Sequence, residues 1–413
     1  MKFENKNELI KNFNFEPNEE IMLKQTFDNN SKIENLMDAE TLYRMTFMNL
    51  PLNGKQLTNF LQNFYESVNL QRRMKFEFSF EDFSTVAYLL INANDNERDT
   101  LYYKVDTFYI LHDILTGNIS SHNEKAFDYR NIKMIFEFFV KIFIDYQLPK
   151  NKDLAKEHLD ESKFDKFLKI TLSREDQKKR VMYEKDESNL TVEKEELNKF
   201  LKTLVGLESY LKMNFRLKLF GLDANLFITS IPIYYEPSEI LTTDQYLFLC
   251  LSNRNLRNYK MAFKFYDTRR DGFYLPNAIF SFMGFEGPIA FFFKHVDEET
   301  NKECILGGLV TSNVREFFKD KCCGDENTVL FTFTPKLEFF KVIGSLEKIL
   351  YISSNRFNIG EREPGIGFGY YHDQYKFWID THDIQHQSYF MKYDDVFEEG
   401  SPFEEAFKYL NVS

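Results

Sequence analysis

Four cysteines in 413 residues, at 250, 304, 322 and 323, are too few and too unevenly placed for a disulfide framework, and none forms a Cys-x-x-Cys pair. A reducing compartment fits that usage. Long apolar runs are also missing. The longest, such as 86–91, fall far short of the ~20 residues that cross a bilayer. The opening Met1-Lys2-Phe3-Glu4-Asn5 lacks the apolar core of a secretory signal, and Lys2 excludes N-myristoylation. Basic charge is in deficit: 52 Lys and Arg against 64 Asp and Glu give a net charge of -12, which disfavours a nucleic-acid partner. Lys178-Lys179-Arg180 is a local exception among acidic neighbours and reads as a solvated helix face. These absences predict a soluble, cytoplasmic chain with no transmembrane segment.

What is abundant is apolar and aromatic. The chain is 43% hydrophobic with 46 Phe, enough to build real cores, and its length suggests two or three domains. So many Phe beside a single Trp read as compositional bias acting on core positions, not as an aromatic functional box. Over the first 149 residues the apolar positions recur with the helical period. Leu57, Phe60, Leu61, Phe64 and Val68 form one stripe. Phe83, Val86, Ala87 and Leu90 form a second, behind a Ser79/Asp82 capping box. Leu101, Val105, Phe108 and Leu115 suggest a third, and Ile132, Ile135, Phe136, Phe139, Ile142 and Phe143 a fourth, ending near Pro149. Each stripe needs a partner, so 1–149 reads as a compact helical module. Residues 150–239 are more charged and read as a helical connector. Within it Leu197, Phe200, Leu201, Leu204, Leu207 and Leu211 predict one amphipathic helix with Thr191 as its N-cap. Gly221, Pro232 and Pro237 punctuate the approach to 240.

After 240 the period becomes two. Val329-Leu330-Phe331-Thr332-Phe333-Thr334, the run 339–343, Lys348-Ile349-Leu350-Tyr351-Ile352 and Tyr375-Lys376-Phe377-Trp378-Ile379 read as strands, mostly antiparallel, with few helices. Gly307-Gly308 inside an apolar run suggests a bulge or close sheet packing.

Chemical motifs each have a bland reading beside the sharp one. His382-Asp383-Ile384-Gln385-His386 imitates a zinc-binding HExxH, but it follows a strand, has no third ligand in view and reads as a polar loop. Asp267-x-Arg269-x-Asp271-Gly272 imitates the start of a calcium loop, yet Arg269 places a cation where a ligand belongs and Ala278 stands where the bidentate Glu would be, so a turn before a helix is the better account. Asn92-x-Asn94-x-Asn96 lacks both the Gly and the Glu; a degenerate EF-hand-like pair in 1–149 rests on fold analogy. Gly365-x-Gly367-x-Gly369 is not a dinucleotide fingerprint; these glycines fit positive φ or tight sheet packing. Asp380 could cap a turn or meet a partner. Cys322-Cys323, flanked by Lys319 and Lys321, could carry redox chemistry, but no nearby base supports it and an exposed loop is the plainer reading.

The order of these features from residue 240 onward resembles the TLDc family. A helical lead-in over 241–256 is followed by Phe263-Lys264-Phe265-Tyr266-Asp267-Thr268, then Arg270-Asp271-Gly272 and an amphipathic stretch to Phe282. Ile289-Ala290-Phe291-Phe292-Phe293-Lys294 and Ile305-Leu306-Gly307-Gly308-Leu309 resemble the next hairpin of that family, and Leu330-Phe331-Thr332-Phe333-Thr334-Pro335 its next strand. Gly365-Ile366-Gly367-Phe368-Gly369 followed by Phe377-Trp378-Ile379-Asp380 is the most specific pair. Two elements depart: Gln387-Ser388-Tyr389-Phe390-Met391 replaces the Cys-x-Thr-Phe element, and Phe407-Lys408-Tyr409-Leu410 the closing strand, where Ser401-Pro402 alone would open a helix. There the resemblance favours a short turn and a strand.

The resemblance implies an α+β chain: a helical N-terminal region, then a TLDc two-sheet antiparallel β-sandwich with small helices over 240–413. Its structural motif would be Gly307, Gly308, Gly365, Gly367, Gly369, Trp378 and Asp380. Proteins of this family are linked to oxidation resistance and to binding the vacuolar-type proton-pumping ATPase (V-ATPase), and a helical module before the domain is similar to the lysosomal, mTOR-associated member. The implied function is non-catalytic protein binding, with no cofactor and no metal. Its partner would be cytosolic-sector or stalk subunits of the V-ATPase, reached peripherally at a lysosomal or vacuolar membrane. The alternatives are a scaffold in a cytoskeletal or membrane-trafficking assembly, and oxidative-stress protection by thiol chemistry.

Overall fold

The computed structural model describes residues 13, 15–31, 35–47, 50, 54–68, 70, 77–92, 107–119, 124–147, 161–173, 190–221, 231–234, 236, 238–272, 274–282, 284–296, 303–312, 324–334, 336–346, 349–353, 365–371, 374–380, 389–390 and 396–398. Leu101, Val105, 178–180, Cys322, Cys323, 382–386 and 401–413 lie outside them. The chain divides into two compact units: Met1–Leu159, Leu172–Pro232 and Cys250–Arg254 form one; Asp160–Thr171, Ile233–Leu249 and Asn255–Ser413 form the other. The stretch 150–239 is thus shared out between both.

The first unit is helical, and three of the four apolar stripes sit on its helices. Gly54–Ser67 buries Leu57, Phe60, Leu61 and Phe64, and Phe80–Asn92 buries Phe83, Val86, Ala87 and Leu90. The second of these starts at the expected capping box: Ser79 N–H and Oγ both donate to Asp82 Oδ2 at 2.9 Å. Tyr129–Gln147 buries Ile132, Ile135, Phe136, Phe138, Phe139, Val140, Ile142 and Phe143, so it is apolar on most sides, as a core helix must be. Phe136 meets the rings of Phe108, Phe139 and Phe200 at 5.2–5.6 Å.

Two features of this unit carry no period. Strand β1 (Met37–Asp38), between helices Pro17–Asn30 and Ala39–Phe47, pairs antiparallel with β2 (Glu77–Phe78), between Gly54–Ser67 and Phe80–Asn92. Met37 sits opposite Phe78, and both are fully buried. In the same way β3 (Ala126–Asp128), leading into Tyr129–Gln147, pairs with β4 (Thr191–Glu193), leading into Lys194–Thr203. In both pairs an apolar residue faces an apolar residue across the bridge, Met37 with Phe78 and Phe127 with Val192.

The single amphipathic helix expected through Leu197–Leu211 is corrected to two, Lys194–Thr203 and Leu207–Leu219. The chain breaks at Leu204 (φ -90, ψ 60), and Gly206 N–H donates to Leu251 O at 2.6 Å. Leu204 and Leu207 are both buried, so the stripe runs across the break without recording it. Thr191 lies in β4, and Glu193 takes the N-cap position.

The second unit is a sandwich of two four-stranded antiparallel sheets. One has the order β10-β9-β8-β7, from β7 (Ile289–Val296), β8 (Glu303–Val310), β9 (Val329–Thr334) and β10 (Glu338–Lys341). The other has the order β11-β12-β13-β14, from β11 (Leu350–Ser353), β12 (Gly365–Tyr371), β13 (Gln374–Asp380) and β14 (Tyr389–Phe390). A short parallel pair, β5 (Ile233–Tyr234) with β6 (Met261–Ala262), stands apart from both. The core lies between the sheets, where Leu306, Leu330 and Phe340 of the first meet Ile352, Ile366, Phe368, Phe377 and Ile379 of the second. Phe291 crosses to Phe368 at 6.1 Å and Phe293 to Phe377 at 5.3 Å, both edge-on.

The other face of the first sheet is closed too. Phe331, Phe333 and Phe339 are buried there in a ring-to-ring series. Helix Glu161–Leu172, far upstream in sequence, is counted within this unit to Thr171. Its Phe164 and Phe167 stack on Phe248 at 6.4 and 5.7 Å, and its Thr171 Oγ1 accepts from Leu337 N–H at 3.3 Å.

Candidate functional site: a glycine-backed aromatic face

The seven motif residues all lie on β8, β12 and β13, but they do different jobs. Gly308 faces the sandwich core, and a Cβ there would stand 2.6 Å from the Phe368 ring. Gly307 points the other way, where a Cβ would collide with Phe291 O and press the Phe331 ring at 2.8 Å. Both packing surfaces of β8 are thus pressed to backbone at successive residues, which is the close packing read from Gly307-Gly308; the bulge in the ladder falls beside them, between Ile305 and Leu306. A carbonyl oxygen cannot move aside as a side-chain tip can. Gly307→Ala should therefore cost at least about 1–3 kcal/mol, read as a lower urea midpoint; an unchanged midpoint would mean that β7 and β8 sit farther apart than this register allows.

Gly365 and Gly367 serve the second sheet. Gly367 pairs with Trp378 and Gly365 with Asp380 across β12 and β13. A Cβ on Gly365 would enter the indole of Trp378, and one on Gly367 would meet the Tyr375 ring at 2.5 Å. Ile366 and Phe368 alternate with them into the core. Gly369 is the member that needs positive φ, at +68, and its N–H leaves the β12–β13 ladder to donate to Ile349 O. Beyond that interruption Tyr375 joins Trp378 and Tyr351 in one cluster, separate from the sandwich core: Tyr375 stacks on Trp378 at 4.9 Å and Tyr351 on both, at 5.4 and 6.0 Å. Trp378 is buried, and its Nε1–H has no hydrogen-bond partner among the described residues. Lys376 and Asp380 are buried on the same strand, and Lys376 Nζ donates to Glu398 O at 3.1 Å.

The calcium-like stretch is a turn, as expected. Asp267 caps helix Thr268–Asp271 by accepting from Arg269 N–H at 3.1 Å, and Asp271 Oδ2 accepts from Asp267 N–H at 2.8 Å. The Arg270 guanidinium, bonded to Asp271, holds that carboxyl below the usual range. Gly272 closes the turn at φ +83. Both carboxylates are therefore committed to the turn and to Arg270. Among the described residues no group of three or more His, Cys, Asp or Glu could hold a metal ion.

Two of the four cysteines can be placed, Cys250 and Cys304, both buried. Cys304 belongs to the sandwich core, and burial, reinforced by the neighbouring Glu303 charge, pushes its thiol up to about 12. At pH 8 only roughly one such thiol in ten thousand is a thiolate. Iodoacetamide at that pH should spare Cys304 in the folded chain and label it after urea unfolding, as peptide mass spectrometry would show; labelling of native protein at the unfolded rate would contradict this burial.

One surface was not anticipated. Tyr259, Met261 and Phe263, separated by Lys260 and Ala262, are exposed, Phe263 by 55%. Large apolar residues at every second position were the available signal, with that side facing outward. Among the described residues no helix is long and apolar enough to cross a membrane.

Compared with known proteins, residues 234–412 match the family model of the TLDc domain. No curated protein matches the chain.

Proposed function

The chain carries a TLDc domain, and on that premise we propose that it is a non-catalytic, protein-binding regulator of the vacuolar-type proton-pumping ATPase. The match itself carries the reading, since proteins that it resembles are linked to that enzyme. Its mechanism is steric: a rigid sandwich lodges against cytosolic-sector or stalk subunits and shifts the balance between assembled and disassembled enzyme. Rigidity is what the packing supports, because glycines let aromatic rings seat against both sheets. The chain reaches the lysosomal or vacuolar surface through this partner.

A contact of this kind must bury about 1,000 Å² or more to be specific. With a net charge of -12 the chain associates faster with basic patches, and added salt slows that association more than it weakens the complex. The test adds purified full-length chain to native V-ATPase and follows co-sedimentation and ATP-driven acidification together. Co-sedimentation at micromolar chain with a change in acidification is expected. Neither effect at that concentration removes this partner and leaves the scaffold reading as the better one.

A further inference from the structure

We propose that β7 is a docking edge for an extended, basic strand of a partner protein. The strand ends its sheet, and its eight residues pair with β8 in an unbroken register. Among the described residues no backbone group outside β8 bonds to it. The opposite edge of the same sheet is closed. Val342 bridges Phe397, Ile343 N–H donates to Val396 O, and Glu398 N–H donates to Lys341 O. An edge strand aims alternate peptide groups outward, ready to pair with another chain.

Proteins usually blunt such edges with proline, a bulge or charge. β7 reads Ile-Ala-Phe-Phe-Phe-Lys-His-Val, with no proline and no register shift. Its one fixed charge, Lys294, is neutralised by Glu303 across the hairpin at 2.5 Å. Apolar side chains are exposed at both ends. Val296 closes the strand at 41% exposure; at its start Tyr259 lies against Gly287, and Met261 and Phe263, just after Tyr259 in the chain, are exposed too. Strand addition takes its affinity from main-chain bonds and its selectivity from alternate side chains, and this edge offers both.

The occupant follows from charge. A second copy would bring two chains of net charge -12 together, whereas a strand flanked by lysine or arginine is attracted. The inference rests on the binding reading above only in taking a partner protein as the source of that strand.

Hydrogen exchange on the full chain, read per residue, tests it. The probe is a short lysine-flanked peptide of alternating valine and threonine, with a backbone N-methylated version as control. In the free chain the outward amides of β7 should exchange freely. Saturating peptide should slow them at least about tenfold and leave β9 unchanged, and the methylated peptide should do nothing. Protection already present in the free dilute chain, protection that rises with chain concentration alone, or no protection at millimolar peptide each overturns the proposal. V-ATPase binding without peptide protection of β7 overturns the edge but not the regulator. Peptide protection without V-ATPase binding does the reverse.

Discussion

Trp378→Ala is expected to lower the stability of the second unit by about 3–5 kcal/mol, a large share of the ~5–15 kcal/mol that holds a typical domain together. The indole is nearly fully buried and stacked on Tyr375 and Tyr351. The space it would leave is lined by Gly365, Tyr351 and Tyr375. Gly365 has no side chain with which to fill the gap, so relaxation recovers little. Its Nε1–H makes no hydrogen bond among the described residues, so the loss is of packing and not of a polar contact. Urea unfolding followed by circular dichroism measures the shift. The single tryptophan supplies a check on the premise: native fluorescence should be blue-shifted and should move to the red as the second unit unfolds. A native spectrum already at the wavelength of indole in water would place Trp378 on the surface and remove the ground for the prediction.

The sandwich was legible in the sequence to the extent that one face of each strand meets the core and the next residue does not. Val329–Thr334 is observed at the bounds read from alternation, and Gln374–Asp380 extends the strand read around Trp378 by one residue at each end. The glycines were legible as a need for space, since nothing else explains a gap in an apolar run, but which surface needed the space was not. Gly307 and Gly308 are adjacent and serve opposite faces; Gly365 and Gly367 accept rings from the neighbouring strand, while Gly369 alone needs positive φ. Those distinctions depend on which strand lies alongside, and that is information about pairing, which a single chain does not spell out.

The same limit explains the errors in the helical unit. A stripe records which residues are buried, not whether the backbone between them is continuous, so Leu204 and Leu207 stay in phase across a break. Two- and three-residue strands are too short to show a period, and Met37 and Phe78 look like helix-flanking hydrophobics until they are seen opposite each other. The open edge of β7 was hidden for a related reason. Its composition is that of any aromatic strand, and only the sheet order shows that nothing described pairs beyond it.

A fragment spanning 234–413, cut where the family match begins, is expected to fold poorly, because it omits helix Glu161–Leu172. Composition assigned that helix to a connector, and its surroundings assign it to the sandwich unit. Phe164, Phe167, Leu168 and Ile170 are buried, and each such side chain is worth about 1.5–3 kcal/mol when removed from water. Most of that gain goes into ordering the helix itself, at ~1–2 kcal/mol per residue for the backbone. The fragment's loss is therefore best counted on the surfaces left behind. Phe248 loses two stacked rings. Leu337 is buried, and its N–H loses the Thr171 hydroxyl, which costs about 1–3 kcal/mol if nothing replaces it. Together these losses should drop the melting temperature of the fragment at least ~10 °C below that of the same unit in the full chain and raise its binding of a hydrophobic dye. Joining 158–175 to 231–413 through a flexible Gly/Ser linker should restore both. Equal melting temperatures with and without the helix would mark it as a passenger on the domain, and binding experiments could then use the shorter fragment safely.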